Sequence, residues 1–170
     1  MSLPVYRAPM RSRRDDVAPA ATIARAKALS VCGFGGVLSP PPGDVAEAVE
    51  LAAAQHDDRL ARRIARFAEV PVGSYVWTRD DGLFWLGRLC GPWRYDASAG
   101  ASEVDLVHVR PCEWREPPLV ASEAPAAVLA TYGRGGRNFQ RINDAAVLDQ
   151  TQRSWDRSGV RPSGRVGRDD

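Results

Sequence analysis

The sequence predicts an α+β domain in which helices come first and an antiparallel meander follows. Three observations carry this reading. Apolar residues at Val45, Ala48, Val49 and Ala52, and again at Leu60, Ile64 and Phe67, repeat with helical spacing. After Pro71-Val72-Gly73 the period falls to two, the signature of strands. Asp80-Asp81-Gly82 then stands between two apolar runs as a turn that tolerates positive φ, which makes the pair a hairpin.

The elements follow in order. Leu3 to Ala8 reads as a short strand, Met10 to Asp16 as a basic break, and Pro19 to Leu29 as an alanine-rich helix. Ser30 to Phe34 reads as a buried strand closed by Gly35-Gly36. After the stiff Pro40-Pro41-Pro42-Gly43 link, Asp44 stands as an N-cap with Glu47 completing a capping box. A break near His56-Asp57-Asp58 separates that helix from a second one, along which Arg59, Arg62, Arg63 and Arg66 form either a solvated face or a phosphate-facing stripe. Tyr75 to Thr78 and Leu83 to Cys90 make the hairpin. Gly91-Pro92 bends the chain before Trp93 to Tyr95, and an Ala/Ser/Gly loop spans Asp96 to Ser102. Val104 to Arg110 is a strand ended by Pro111, and Glu113 to Glu116 a short edge strand. Glu123 to Ala130 is a helical turn or short helix, and Arg137 to Ile142 a last strand.

Size and composition bound the rest. A chain of 170 residues, 44% hydrophobic and 26% charged, suits one soluble domain with a real core. The domain is expected over residues 1–148. From about Asp149 the Arg/Ser/Gly/Asp composition lacks apolar periodicity, so 149–170 is expected to be a disordered tail in which Trp155 has no evident place. No apolar run approaches a membrane span, and Arg7, Arg11, Arg13 and Arg14 precede no apolar segment of the secretory kind. The expected location is the cytoplasm. A formal charge of +2 excludes binding to nucleic acid by bulk charge alone. The three cysteines form no CxxC pair and the two histidines no zinc spacing, so no metal and no cofactor is expected. Neither a P-loop nor a nucleophile elbow is present, and nothing reads as catalytic.

The chemistry-bearing stretch is Val76 to Tyr95, which gathers three tryptophans, a phenylalanine, a tyrosine and three arginines on one hairpin-like unit. Aromatic faces stack on bases and guanidinium groups meet phosphates, so the stretch suits a flat, anionic ligand. The order of motifs here resembles the PUA-like, EVE-like domain found at the N-terminus of many Mrr-type and related modification-dependent restriction proteins. The resemblance rests on Tyr6-Arg7-Ala8, Gly33-Phe34-Gly35, Val72-Gly73-Ser74, Gly87 to Tyr95, His108 to Trp114, and Phe139-Gln140-Arg141-Ile142, in that order. Ser74 stands where that family has an acidic residue, Phe34 where it has tryptophan, and Pro9 where it has glycine.

The resemblance implies a strongly curved β-barrel of about five or six strands with flanking helices. It also implies a non-enzymatic reader of modified DNA, with modified RNA the alternative, in restriction or phage defence. Such a reader would hold a flipped base in an aromatic pocket and deliver a separately encoded nuclease. The competing reading is a protein-interaction or small-ligand module on the same scaffold. Phe34, with Gly33 and Gly35 admitting a ligand to the backbone, is the first candidate wall. Trp77, Trp93 and Tyr95 are the others, with barrel packing as the rival role for all three and an ordinary core position the rival for Phe34. Arg7, Thr78 and Arg79 are candidate donors to the base or its phosphates, and Asn138 and Gln140 candidate edge readers.

Overall fold

Short polar side chains decide where the helices begin. The computed structural model describes residues 3–136 and 138–158. In it helix α1 (Pro19–Leu29) opens on a proline, which needs no N–H there, and closes at Ser30 in the left-handed region, φ 53°. Helix α2 (Val45–Gln55) starts where the Asp44 carboxylate accepts the Glu47 N–H at 2.8 Å. The Glu47 carboxylate reaches back to Gly43 N–H at 3.2 Å, one residue before the position of a regular capping box. The predicted break before helix α3 (Asp58–Glu69) is a second N-cap, with Asp57 accepting from Leu60 N–H at 2.8 Å. That helix buries Leu60, Ala61, Ile64 and Phe67 as one stripe.

The strands are β1 (Val5–Arg7), β2 (Val31–Phe34), β3 (Tyr75–Asp80), β4 (Leu83–Leu89), β5 (Arg94–Tyr95), β6 (His108–Trp114) and β7 (Gln140–Arg141). They form a curled, open half-barrel in the order β2-β6-β4-β3-β1-β7, with β5 also paired to β6. The sheet is mixed because β1 lies parallel to β3, Val5 opposite Tyr75, while every other pair is antiparallel. Asp81 and Gly82 carry the expected positive φ, 51° and 74°, between β3 and β4. The curvature agrees with expectation, but the sheet stays open where a barrel was expected.

Two stretches depart from the sequence reading. The strand expected over Val104 to Arg110 starts later, at His108, and runs through Pro111 to Trp114. Proline is tolerated inside because its carbonyl accepts Cys90 N–H at 2.9 Å where β6 passes from β5 to β4, so a missing donor breaks no ladder. The loop before it holds a short helix, α4 (Ala99–Glu103), capped by the Ser98 hydroxyl. Helix α5 (Ala126–Gly133) follows a 3₁₀ turn at Ala121–Glu123, and the last strand shrinks to β7.

The second correction concerns the tail. Val147–Ser158 is a helix, α6, rather than disorder, and residues 159–170 lie outside the described residues. Val147, Thr151 and Trp155 make a narrow stripe at four-residue spacing, and all are buried. Trp155 packs edge-on to Tyr75 at 5.7 Å, with the Arg115 guanidinium 3.9 Å above its ring. The Thr151 hydroxyl accepts the Trp77 indole N–H at 3.1 Å. A stripe one residue wide, with a threonine in its centre, is too sparse to register as apolar periodicity.

Candidate functional site

A cleft of about 660 Å³ opens where the end of β2 meets α3, the arginine-rich N-terminal segment and the chain leaving α4. Its floor is Phe34, Gly35, Gly36, Val37 and Leu60, which is largely apolar. Phe34 is only 8% exposed, because its ring is covered by Phe67 at 5.0 Å, His108 at 5.4 Å and the Arg63 guanidinium at 5.8 Å. Behind it His108 is fully buried, stacked with Trp93 at 6.1 Å and met edge-on by Tyr95 at 5.5 Å. One ring nitrogen, Nε2, bonds the Gly36 carbonyl at 2.9 Å, while Nδ1 is sealed away without a partner. Burial pushes its pKa down to about 4, so the ring is neutral and acts as a spacer between the aromatics and the cleft wall.

The rim carries the charge. Arg11, Arg13 and Arg14 come from one side and Arg63 from α3. Arg13 and Arg63 both donate to a single neutral acceptor, the Asn138 Oδ1, at 3.1 and 2.9 Å. Desolvation and then the like charge of Arg13 hold the Arg63 guanidinium below its usual pKa. Among the described residues neither arginine lies within ion-pair distance of a carboxylate. Asp57 is held below the usual carboxylate range chiefly by the Leu60 N–H it caps, and then by Arg13 and Arg63. Arg14 is tied to Asp16 at 2.7 Å and to the Ser102 carbonyl. Two guanidinium groups converging on one amide oxygen leave donors and positive potential directed at the cleft.

No family model matches this chain, and no curated protein or solved structure matches it. Among the described residues no group of His, Cys, Asp or Glu could hold a metal ion, and no helix is long and apolar enough to cross a membrane.

Of the residues singled out from sequence, the cleft gathers Phe34 and Gly35, with Asn138 behind its arginines. Several others are placed elsewhere. Trp77 is fully buried under α6, and Thr78 fully buried beside it, so neither can touch a ligand. Arg7 is buried too: its guanidinium donates to the Thr131 and Gly135 carbonyls at 2.9 and 2.7 Å, closing the C-terminal end of α5. Trp93 and Tyr95 are half-buried against His108 and do not line the cleft, and the Tyr95 hydroxyl is engaged by the Leu38 backbone. Arg79 is exposed at the β3–β4 turn beside a separate cavity, and Gln140 sits with Arg7 at another.

The glycines serve the fold rather than a ligand. A side chain at Gly33 would strike the His108 carbonyl across the β2–β6 pair, and one at Gly35 would strike the Asp105 carboxylate. Sequence reasoning assigns Arg11, Arg13 and Arg14 no site role and leaves Arg63 undecided within a stripe of four. It passes over Asp105 altogether, which lies in a segment read as strand and stands instead at φ 52°.

Proposed function

We propose that the chain is a non-enzymatic nucleic-acid reader, and that the cleft takes one modified base swung out of its strand. The convergence of Arg13 and Arg63 on the Asn138 oxygen, at the mouth of a cavity with an apolar floor, carries this reading. A cavity of about 660 Å³ is larger than a phosphate needs and within the usual range for small organic ligands. The flat ring of a base would lie against Leu60 and the open edge of Phe34 with the Arg63 guanidinium beside it, while Arg11, Arg13 and Arg14 meet its flanking phosphates. Extruding a base costs a few kcal/mol, and stacking returns about 1–3 kcal/mol, so phosphate contacts must supply much of the rest. Modified DNA is the preferred target and defence the preferred setting, with a separately encoded effector doing any cutting. The test is a binding screen over single and double strands carrying different base modifications, repeated with Arg63→Ala. Affinity that depends on the modification and falls with Arg63→Ala supports the reading. Equal, salt-independent binding to all strands, or none, sinks it.

A further inference from the structure

Of the three carboxylates that line the cleft, Asp57, Glu103 and Asp105, the last alone is buried. Asp105 is 6% exposed, yet no arginine or lysine among them lies within ion-pair distance of it. Its Oδ1 accepts the Gly36 N–H at 3.1 Å and its Oδ2 the Ser12 hydroxyl at 2.5 Å. The left-handed turn at Asp105 swings the side chain back over Gly35, the one residue type that leaves space for it. It therefore stands at the polar end of the floor, with Phe34 and Leu60 forming the apolar part and Arg63 at the rim.

An ionised carboxylate only accepts hydrogen bonds, and each oxygen keeps a lone pair beyond the bond it already makes. Gly36 and Ser12 already donate to the two oxygens, so a group that fills the cleft against Asp105 is favoured if it brings an N–H to the lone pairs that remain. We propose that Asp105 selects for a base bearing an exocyclic amine, as in cytosine or adenine, over the corresponding keto base. The exocyclic amine donates to the carboxylate, whereas the keto base puts an oxygen at that place, facing another acceptor, and carries its ring N–H one position further along the edge. This rests on the base-reading function above and adds to it which hydrogen-bonding edge is read.

The experiment uses short single strands identical except at one central base, in pairs that exchange an exocyclic amine beside a ring acceptor for a keto oxygen beside a ring N–H: 5-methylcytosine with thymine, 5-hydroxymethylcytosine with 5-hydroxymethyluracil, and adenine with hypoxanthine. In each pair that binds, the amine member should bind about tenfold tighter, the scale of a single well-made base contact. Asp105→Asn turns one acceptor into a donor and should bring that ratio close to one, with melting curves confirming a folded protein. Ser12→Ala keeps the carboxylate and removes its hydroxyl donor, so the preference for the amine should hold or grow. Equal binding within every pair, a keto preference, or a ratio that falls in Ser12→Ala overturns the assignment while leaving base reading intact. If no strand of any pair binds, the reader function itself fails, and this inference with it.

Discussion

Two aromatic clusters sit on the same curled sheet and have opposite fates. At one, Trp77, Tyr75 and Phe84 are covered by α5 and α6, and Trp155 and Tyr132 close over them. At the other, Phe34, Phe67 and His108 pack with Trp93 and Tyr95, but the edge of Phe34 reaches an open cleft rimmed by arginines. The difference lies in which element packs over each cluster, not in the aromatic content of the strands. A helix brings a threonine to the Trp77 indole, whereas the N-terminal segment brings guanidinium groups to the Phe34 side. An aromatic residue on a strand becomes a candidate ligand contact only where its packing leaves an edge open.

The same contrast separates the arginines. Arg7 and Arg110 are buried and held by main-chain carbonyls; Arg110 donates to Gly91, Phe67 and Val70 at 2.9, 2.9 and 2.6 Å and so ties the end of α3 to the sheet. Arg11, Arg13, Arg14 and Arg63 line an open space. Burial, not residue type, sorts the two groups.

The comparison predicts unequal responses to substitution. The largest effect belongs to the sealed cluster. Trp77→Ala should cost about 3–5 kcal/mol of stability in urea unfolding, since it empties a buried site and strips the Thr151 hydroxyl of its donor. Nucleic-acid binding by the fraction still folded should be unchanged, and a variant as stable as the parent would break the distinction.

Acid should act on the open cluster instead. His108 has its folded pKa lowered to about 4 from 6.5, so its contribution is fully present above pH 6.5 and is lost as pH falls toward 4. The expected loss is about 3 kcal/mol, because each pH unit between those two values is worth roughly 1.4 kcal/mol. His108→Phe should flatten the unfolding free energy across that window, and an unaltered slope would refute the assignment. Asp57, whose pKa is lowered, titrates below its usual range and so adds its loss only in stronger acid.

The smallest effect on stability belongs to the rim. Arg13→Ala and Arg63→Ala should each change unfolding free energy by less than about 1 kcal/mol, the usual scale for surface positions. Each should reduce the salt dependence of nucleic-acid affinity by about one unit of slope, measured by titration at several salt concentrations. Arg7→Ala should do the reverse, lowering the melting temperature and leaving the salt slope alone, because the side chain is buried and its Nη1 is bound to Thr131 and Gly135.

Much of the fold was legible in the sequence because local chemistry determines it. Asp44, Asp57 and the Asp81-Gly82 turn mark element ends through their own side chains or φ values. The site was less legible. Phe34 could be singled out from its glycine neighbours, but those glycines make room for the His108 carbonyl and the Asp105 carboxylate, not for a ligand. Arg13 and Asn138, far apart in sequence, meet only through tertiary packing, and no periodicity encodes such a meeting. Trp155 was illegible for a related reason: the partner that gives it meaning, Tyr75, lies on the third strand.

Helix α6 also fixes where this chain can be cut. A protein ending at residue 148 would keep every strand and lose the cover over Trp77, Tyr75 and Val5, three side chains that are now at most 6% exposed. The Trp77 indole would lose the acceptor that Thr151 provides, and an apolar face would turn outward beside β1. Such a face is a surface for self-association. The folding unit therefore includes α6, and a version ending before it would be expected to precipitate before it could be tested for binding.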